Sequence, residues 1–226
     1  MNAYKYIIVL LVAAMTLALS GCEFDNFDPP SSAFTGQIVY NGEAIGLRST
    51  GVQLELWQDG YDDFEKIPVH VDQDGSFSAM LFDGDYKLTF LNNNGPWVGN
   101  TDTTLLTIKG NTQMDLEVEP YYTIGDASFS VNGSNVEATF TVNEVNSSLS
   151  LLSAQLLIGA TTIVDAVRRE GVTRVNSSQL NVGGSNSASI EMPEEIVAKG
   201  YVFARVGLQI AGSQELIYTP VMKLEF

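Results

Sequence analysis

One cysteine and one histidine in 226 residues close off several chemistries at once. A single histidine, His70, cannot build a two-histidine metal site, and a lone cysteine, Cys22, has no intrachain disulfide partner. Basic residues are also scarce, with 11 Lys and Arg against 27 Asp and Glu and a formal net charge of −16. Phosphate binding needs clustered Lys and Arg, and only Arg168-Arg169 form a basic pair, so no nucleic-acid partner is expected. No phosphate-cradling glycine loop or dinucleotide fingerprint is present, and no cofactor is expected. An apolar run long enough to span a membrane is missing as well. Ile7 to Leu19 covers 13 residues, whereas a spanning helix needs about 20.

What is present begins with that segment. It follows Lys5 and the amino terminus and closes in Leu19-Ser20-Gly21-Cys22, the charged, apolar, small order of a secretory signal. The last four residues read as a lipobox, which makes residues 1–21 a leader and Cys22 the first mature residue. The cysteine sits in an acidic stretch with Glu23, Asp25 and Asp28, where nothing can bury a thiol, so lipid attachment at Cys22 is the expected outcome. Each buried methylene contributes about 0.8 kcal/mol, and stable anchoring takes more than one acyl chain. Loss of the leader removes Lys5 and no acid, so 10 basic and 27 acidic residues remain and the mature net charge is −17.

Residues 22–33 form an acidic tether that ends around Pro29-Pro30-Ser31-Ser32. Beyond it the chain becomes a series of short alternating runs separated by Gly, Asn and Asp, the pattern of an all-β protein. Strands are expected over Phe34–Tyr40, Val52–Trp57, Ile67–Val71, Phe77–Phe82, Asp85–Leu91, Thr104–Ile108 and Gln113–Val118. Asn41-Gly42 and Asp74-Gly75 mark tight turns. Glu119-Pro120 breaks the pattern, since proline removes a ladder donor, and divides the mature chain into sandwiches over 34–119 and 120–226. The second half repeats the β grammar over Ala127–Val131, Val136–Val142, Leu151–Ile158, Ser187–Glu191, Tyr201–Ile210 and Glu215–Phe226. Short helical turns are expected at Pro193–Ile196 and Val164–Glu170.

The order Thr35-Gly36-Gln37-Ile38-Val39, Val52-Gln53-Leu54-Glu55-Leu56, Val71 to Phe77 and Leu81 to Leu88 resembles the transthyretin-like, carboxypeptidase-regulatory type of β-sandwich. Tyr201 to Val206 resembles the penultimate strand of immunoglobulin or fibronectin-III sandwiches, although the cysteine pair and strand-C tryptophan of true immunoglobulin domains are absent. With the lipobox, the whole chain resembles a family of two-domain lipoproteins of unknown function in Bacteroidetes, often encoded beside SusC/SusD-like glycan-uptake pairs. That resemblance implies a diacylglyceryl thioether and an amide-linked acyl chain on Cys22. It also implies attachment to the outer membrane facing the cell exterior, with SusC/SusD-like transporter components and a glycan as partners. The function it implies is that of a non-enzymatic binding or accessory module. The alternative is a structural or adhesive module, which a long exposed apolar strand over Ile217 to Phe226 would favour.

Candidate chemistry in the residues themselves is sparse. His70 lies opposite Val69 and Val71 on an expected strand, a solvent-side position. Asp72-Gln73-Asp74-Gly75 opens like an EF-hand loop, yet the sixth position is Phe77 instead of glycine and the twelfth is Asp83 instead of glutamate. A hairpin turn explains the same residues. Asp62-Asp63, Asp83 with Asp85, and Glu194-Glu195 read as solvated turns. The stretch with recognition chemistry is Asn92 to Trp97, continuing through Asn100 to Asp102. Asn93, Asn94 and Asp102 offer groups that bond sugar hydroxyls, and Trp97, if exposed, offers an indole face for a pyranose. Packing in the core or between domains is the expected role of Trp57, Tyr61, Tyr121 and Tyr122.

Overall fold

A computed structural model describes Tyr4, residues 28–60 and residues 65–226. Cys22, Tyr61 and the Asp62-Asp63 pair lie outside the described residues. Ser31–Phe226 forms one compact unit, and among the described residues no helix is long and apolar enough to cross a membrane.

The all-β expectation holds. The first half carries β1 (Ser32–Tyr40), β2 (Glu43–Ala44), β3 (Gln53–Trp57), β4 (Ile67–His70), β5 (Ser76–Leu81), β6 (Gly84–Phe90), β7 (Thr104–Ile108), β8 (Thr112–Gln113) and β9 (Leu116–Glu117). β1 is the organising strand: β5 and β2 pair with it antiparallel, while β8 and β9 run parallel to it. The facing sheet is antiparallel in the order β4-β3-β6-β7. Alternation places Phe34 and Ile38 of β1 against Leu54, Leu56, Tyr86 and Leu88 of the other sheet, all in one core. Asn41 and Gly42 both take positive φ, 53° and 80°, the geometry of a two-residue hairpin turn joining β1 to β2.

Gln113–Val118 was expected as one strand but forms two short ones. Both run alongside β1, and Met114 between them donates its N–H to Thr35 O at 2.9 Å. A Cβ on Gly36 would stand 1.9 Å from Met114 O, so glycine is what lets the chain approach this closely.

The second half carries β10 (Tyr122–Asn132), β11 (Asn135–Glu144), β12 (Leu151–Gly159), β13 (Gly171–Asn176), β14 (Ser185–Glu191), a helical turn α1 (Glu194–Val197), β15 (Tyr201–Ile210), β16 (Ile217–Tyr218) and β17 (Met222–Glu225). A sheet β10-β11-β14 faces a sheet β13-β12-β15, and β16 and β17 both pair with β15. Two expectations are corrected. Val164–Glu170 is not helical: Asp165 accepts the Val167 and Arg168 N–H groups through Oδ1, at 2.7 and 2.8 Å, and folds the segment into a tight turn. The expected strand Glu215–Phe226 is broken at Pro220, which has no N–H to give to the ladder.

The two halves share apolar packing. One cluster of buried residues runs from Phe34 through Trp97 and Tyr122 to Ile217. The segment between the sandwiches is tied down: Val98 donates to Glu119 O (2.9 Å) and Tyr121 to Pro96 O (3.2 Å).

Candidate functional site

The Asn92–Asp102 loop is closed upon itself. Trp97 is 5 % exposed and packs edge-on against Phe90 with ring centroids 6.0 Å apart. Its backbone pairs with Pro120. A Cβ on Gly95 would stand 2.2 Å from the indole, so this glycine exists to let the ring fold back under its own loop. The indole face expected for a pyranose is therefore spent on the junction between the sandwiches. Asn94 is also committed: its Oδ1 accepts from Gln53 N at 2.5 Å and its Nδ2 donates to Gly51 O at 3.0 Å. Asn93 is exposed at φ 56°, and Asp102 is exposed with its N–H donated to Asn100 Oδ1 at 2.7 Å. The recess beside Asn93, Asn94 and Trp97 holds only about 10 Å³, room for about one water molecule, and Asp102 does not line it.

The other sequence-level candidates resolve simply. His70 is exposed at the end of β4. Asp72 and Gly75 close a hairpin, with Gly75 N donating to Asp72 O at 3.0 Å and φ 83° at the glycine. Asp74 accepts from the Ser76 hydroxyl and N–H at 2.6 and 3.0 Å, which holds its carboxyl below the usual value. Asp83 likewise sits low because Ser32 Oγ and Gly110 N donate to it. Glu194 and Glu195 occupy the first turn of α1. Among the described residues no three His, Cys, Asp or Glu side chains gather as metal ligands.

An open cleft lies where the two halves meet. This cleft of about 510 Å³ is walled by Gln37, Ala44, Gly46, Gln73 and Asp74 of the first half and by Thr162, Phe203, Pro220, Val221 and Lys223 of the second. Carboxamides, a hydroxyl, a carboxylate and an ammonium thus surround part of an aromatic ring. Gln73 donates Nε2 to Thr162 O across the divide at 2.9 Å. Turning the amide over would set two oxygens face to face, so this bond fixes its orientation. Its Oε1 is buried without a partner. Lys223 bonds Glu225 and lies 5.2 Å over the Tyr201 ring.

Arg205 lies fully buried on β15 and binds across the junction between the halves. Nε and Nη2 donate to Thr219 O (3.0 and 2.8 Å), Nη1 to Leu47 O (3.1 Å) and Val164 O (3.2 Å), and Nη2 also to Gln73 O (3.5 Å). All five N–H groups of the guanidinium are thereby used on carbonyls of both halves. The cation also stands 4.2 Å over the Tyr218 ring. Burial pulls Arg205 down to about 10 and pushes Tyr218 up to about 12, so the arginine is charged and the phenol neutral at physiological pH. A second tie is the two-point pairing of Arg48 with the buried Glu215, whose hydrogen bonds raise Arg48 above its usual value. These ties connect the two walls of the cleft.

A further recess of about 440 Å³ lies over Trp57, Asp59, Asp85, Lys87, Leu105 and Thr107. Its polar groups satisfy one another: Lys87 pairs with Asp59, Thr107 bonds Asp85, and Trp57 Nε1 donates to Thr89. The interdomain cleft is the better recognition site because Gln37 and Thr162 are exposed on its walls beside the half-buried Phe203.

Sequence reasoning missed Gln37, Phe203 and Lys223, which lie far apart in the chain. Arg205 did leave a signal, as the one charge inside an otherwise apolar strand run.

Fold and site together define an all-β protein of two joined sandwiches with an open cleft at their junction. The N-terminal domain of DUF3823, a family of unknown function, matches residues 32–119, and the DUF3823 C-terminal domain matches residues 122–223. The chain belongs to the DUF3823 family. A family member from Parabacteroides merdae is 39 % identical with a TM-score of 0.81, over 88 % of this chain and 100 % of that one. Another, from Bacteroides ovatus, is 35 % identical with a TM-score of 0.80, over 87 % and 99 %. A Bacteroides uniformis protein provisionally described as a carbohydrate binding protein shares the fold at 18 % identity and TM-score 0.75, over 88 % and 100 %. No curated protein matches the chain. None of these matches indicates an enzyme family.

Proposed function

We propose that the chain is a lipid-anchored protein of the outer-membrane surface that binds, and does not transform, a nutrient glycan on behalf of an uptake system with SusC/SusD-like components. The observation that carries this reading is the interdomain cleft, whose hydroxyl-bonding side chains and aromatic edge stand on walls that Arg205 joins. The lipobox at Leu19–Cys22 supplies the anchor, and the acidic residues after it supply the signal for export to the outer face. A fold relative described provisionally as a carbohydrate binding protein is consistent with it. The mechanism is presentation: confinement to a plane raises the effective concentration of bound glycan beside a transporter.

The adhesive alternative drew on a long apolar edge at the C-terminus. Ile217 and Tyr218 are buried, and β17 is four residues long with Lys223 and Glu225 in it, so that edge is short and charged. The test of the proposal is expression of the wild-type chain and Cys22→Ala in a Bacteroidetes host. The wild type is expected in the membrane fraction, acylated, and open to protease on intact cells, while Cys22→Ala is released. Wild-type protein found soluble with a free thiol would overturn the anchor, and its protection in intact cells would overturn surface exposure.

A further inference from the structure

Resting on the anchored reading above, we infer that the end of the first sandwich at which β1 begins is a bilayer-contact surface, with Phe82 and Met80 seated at the headgroup boundary of the membrane that holds Cys22. The first ground is where the exposed apolar side chains lie. Among the described residues of 32–119 the large ones are Met80, Phe82, Leu91 and Leu105. Scattered singly, such residues need no account, but Met80 and Phe82 stand together at one end of the sandwich, 55 % and 47 % exposed. The ladder sets Ser32 opposite Leu81 and Ala33 opposite Met80, so this apolar pair flanks the residue at which the chain leaves the tether.

The second ground is the length of chain between the anchor and the fold. Ser32 follows Cys22 by ten residues, and a chain of that length spans at most about 36 Å. Confinement at that range gives this end a high effective concentration at the bilayer, so even a weak contact is populated. The third ground is charge. On the two turns at this end, Asp83 accepts from Ser32 Oγ and Gly110 N, while Lys109 is exposed. An ammonium near an aromatic ring and an apolar side chain suits the boundary where headgroup phosphates meet acyl chains. The contact also sets the posture of the cleft. Gln37 on the cleft wall lies five residues along β1 from Ser32, about 17 Å at the rise of a strand, so a sandwich standing on this end holds the cleft clear of the headgroups.

The test uses the full chain from a Bacteroidetes host, reconstituted in vesicles of phosphatidylcholine and phosphatidylethanolamine with and without bromine on the acyl chains. Bromine quenches an indole that reaches the boundary. Wild type is compared with Phe82→Trp and with Val167→Trp, whose native side chain is 71 % exposed on the loop that carries Thr162 of the cleft. Bromination is expected to remove about a third of the Phe82→Trp emission, the share of one indole among three, and to leave wild type and Val167→Trp unchanged. Phe82→Trp that floats with the vesicles and is not quenched overturns this inference and leaves the anchor standing. Equal quenching of the two variants also overturns it, because the molecule then has no preferred end. Protein that does not float and whose mass shows a free Cys22 thiol overturns the anchoring reading, and this inference falls with it.

Discussion

Two regions of this protein use nearly the same side chains to opposite ends. The Asn92–Asp102 loop has amides, a carboxylate and an indole within eleven residues, and it commits the central ones, Asn94 to the backbone of Gly51 and Gln53 and Trp97 to the core, while Asn93 and Asp102 stay exposed. The cleft draws its amides, carboxylate and aromatic ring from segments as distant as Gln37 and Lys223, and it leaves Gln37 and Thr162 exposed on its walls. Recognition chemistry depends on which polar valences the fold leaves open, and residue type alone does not say this.

The comparison breaks first at Trp97. If the loop is structural, Trp97→Ala should destabilise the protein by about 3–5 kcal/mol, as removal of a large core aromatic does. Phe203→Ala, at a half-buried site, should cost only about 1 kcal/mol. Urea unfolding of both variants reads the difference, and equal costs would erase the distinction between a core ring and a cleft ring. Next comes Arg205→Met, which strands carbonyls of Leu47, Val164 and Thr219 in a dry setting and should cost about 3 kcal/mol. Arg205→Lys, with three donors in place of five, should fall in between.

A smaller effect separates the loop's own asparagines. Asn94→Ala should cost about 2 kcal/mol by leaving Gln53 N and Gly51 O without partners. Asp102→Ala, on an exposed turn, should stay within about 0.5 kcal/mol. The smallest effect concerns pH. The folded-state carboxyl of Asp74 lies below its usual 3.8 because the Ser76 hydroxyl and N–H bond its charged form. Its contribution to stability is therefore fully present above 3.8 and is lost as pH falls through the lower folded value. Thermal melts of Ser76→Ala should show a slightly lower melting temperature than the wild type at pH 7 and a shallower loss of stability below pH 3.8, so that the two proteins converge in acid.

Much of the scaffold was legible in the residues. Alternation along Phe34–Tyr40 and Tyr201–Ile210 marked strands because a pleated chain turns every second side chain the same way. Asn41-Gly42 marked its hairpin because both residues tolerate positive φ. The elements that escaped were those decided by neighbours distant in the chain. β13 has no strong alternation and exists because β12 offers it an edge. The split between β8 and β9 follows from the close approach of Met114 to Gly36. At the site, Asn93, Asn94, Trp97 and Asp102 were conspicuous because they are adjacent in sequence, while Gln37, Gln73 and Phe203 were not, because nothing local brings them together.

The residues alone determined the all-β class, the acidic composition, the turn positions and the apolar segment that precedes Cys22, since each depends on local periodicity, composition or charge. Tertiary structure decided that Trp97 is a core side chain, that Arg205 joins two sandwiches through backbone carbonyls, and that a cleft opens between them. The physical reason is that burial and hydrogen-bond satisfaction are relations between segments. A tryptophan or a glutamine has the same chemistry everywhere, and only the packing around it sets whether that chemistry faces a ligand.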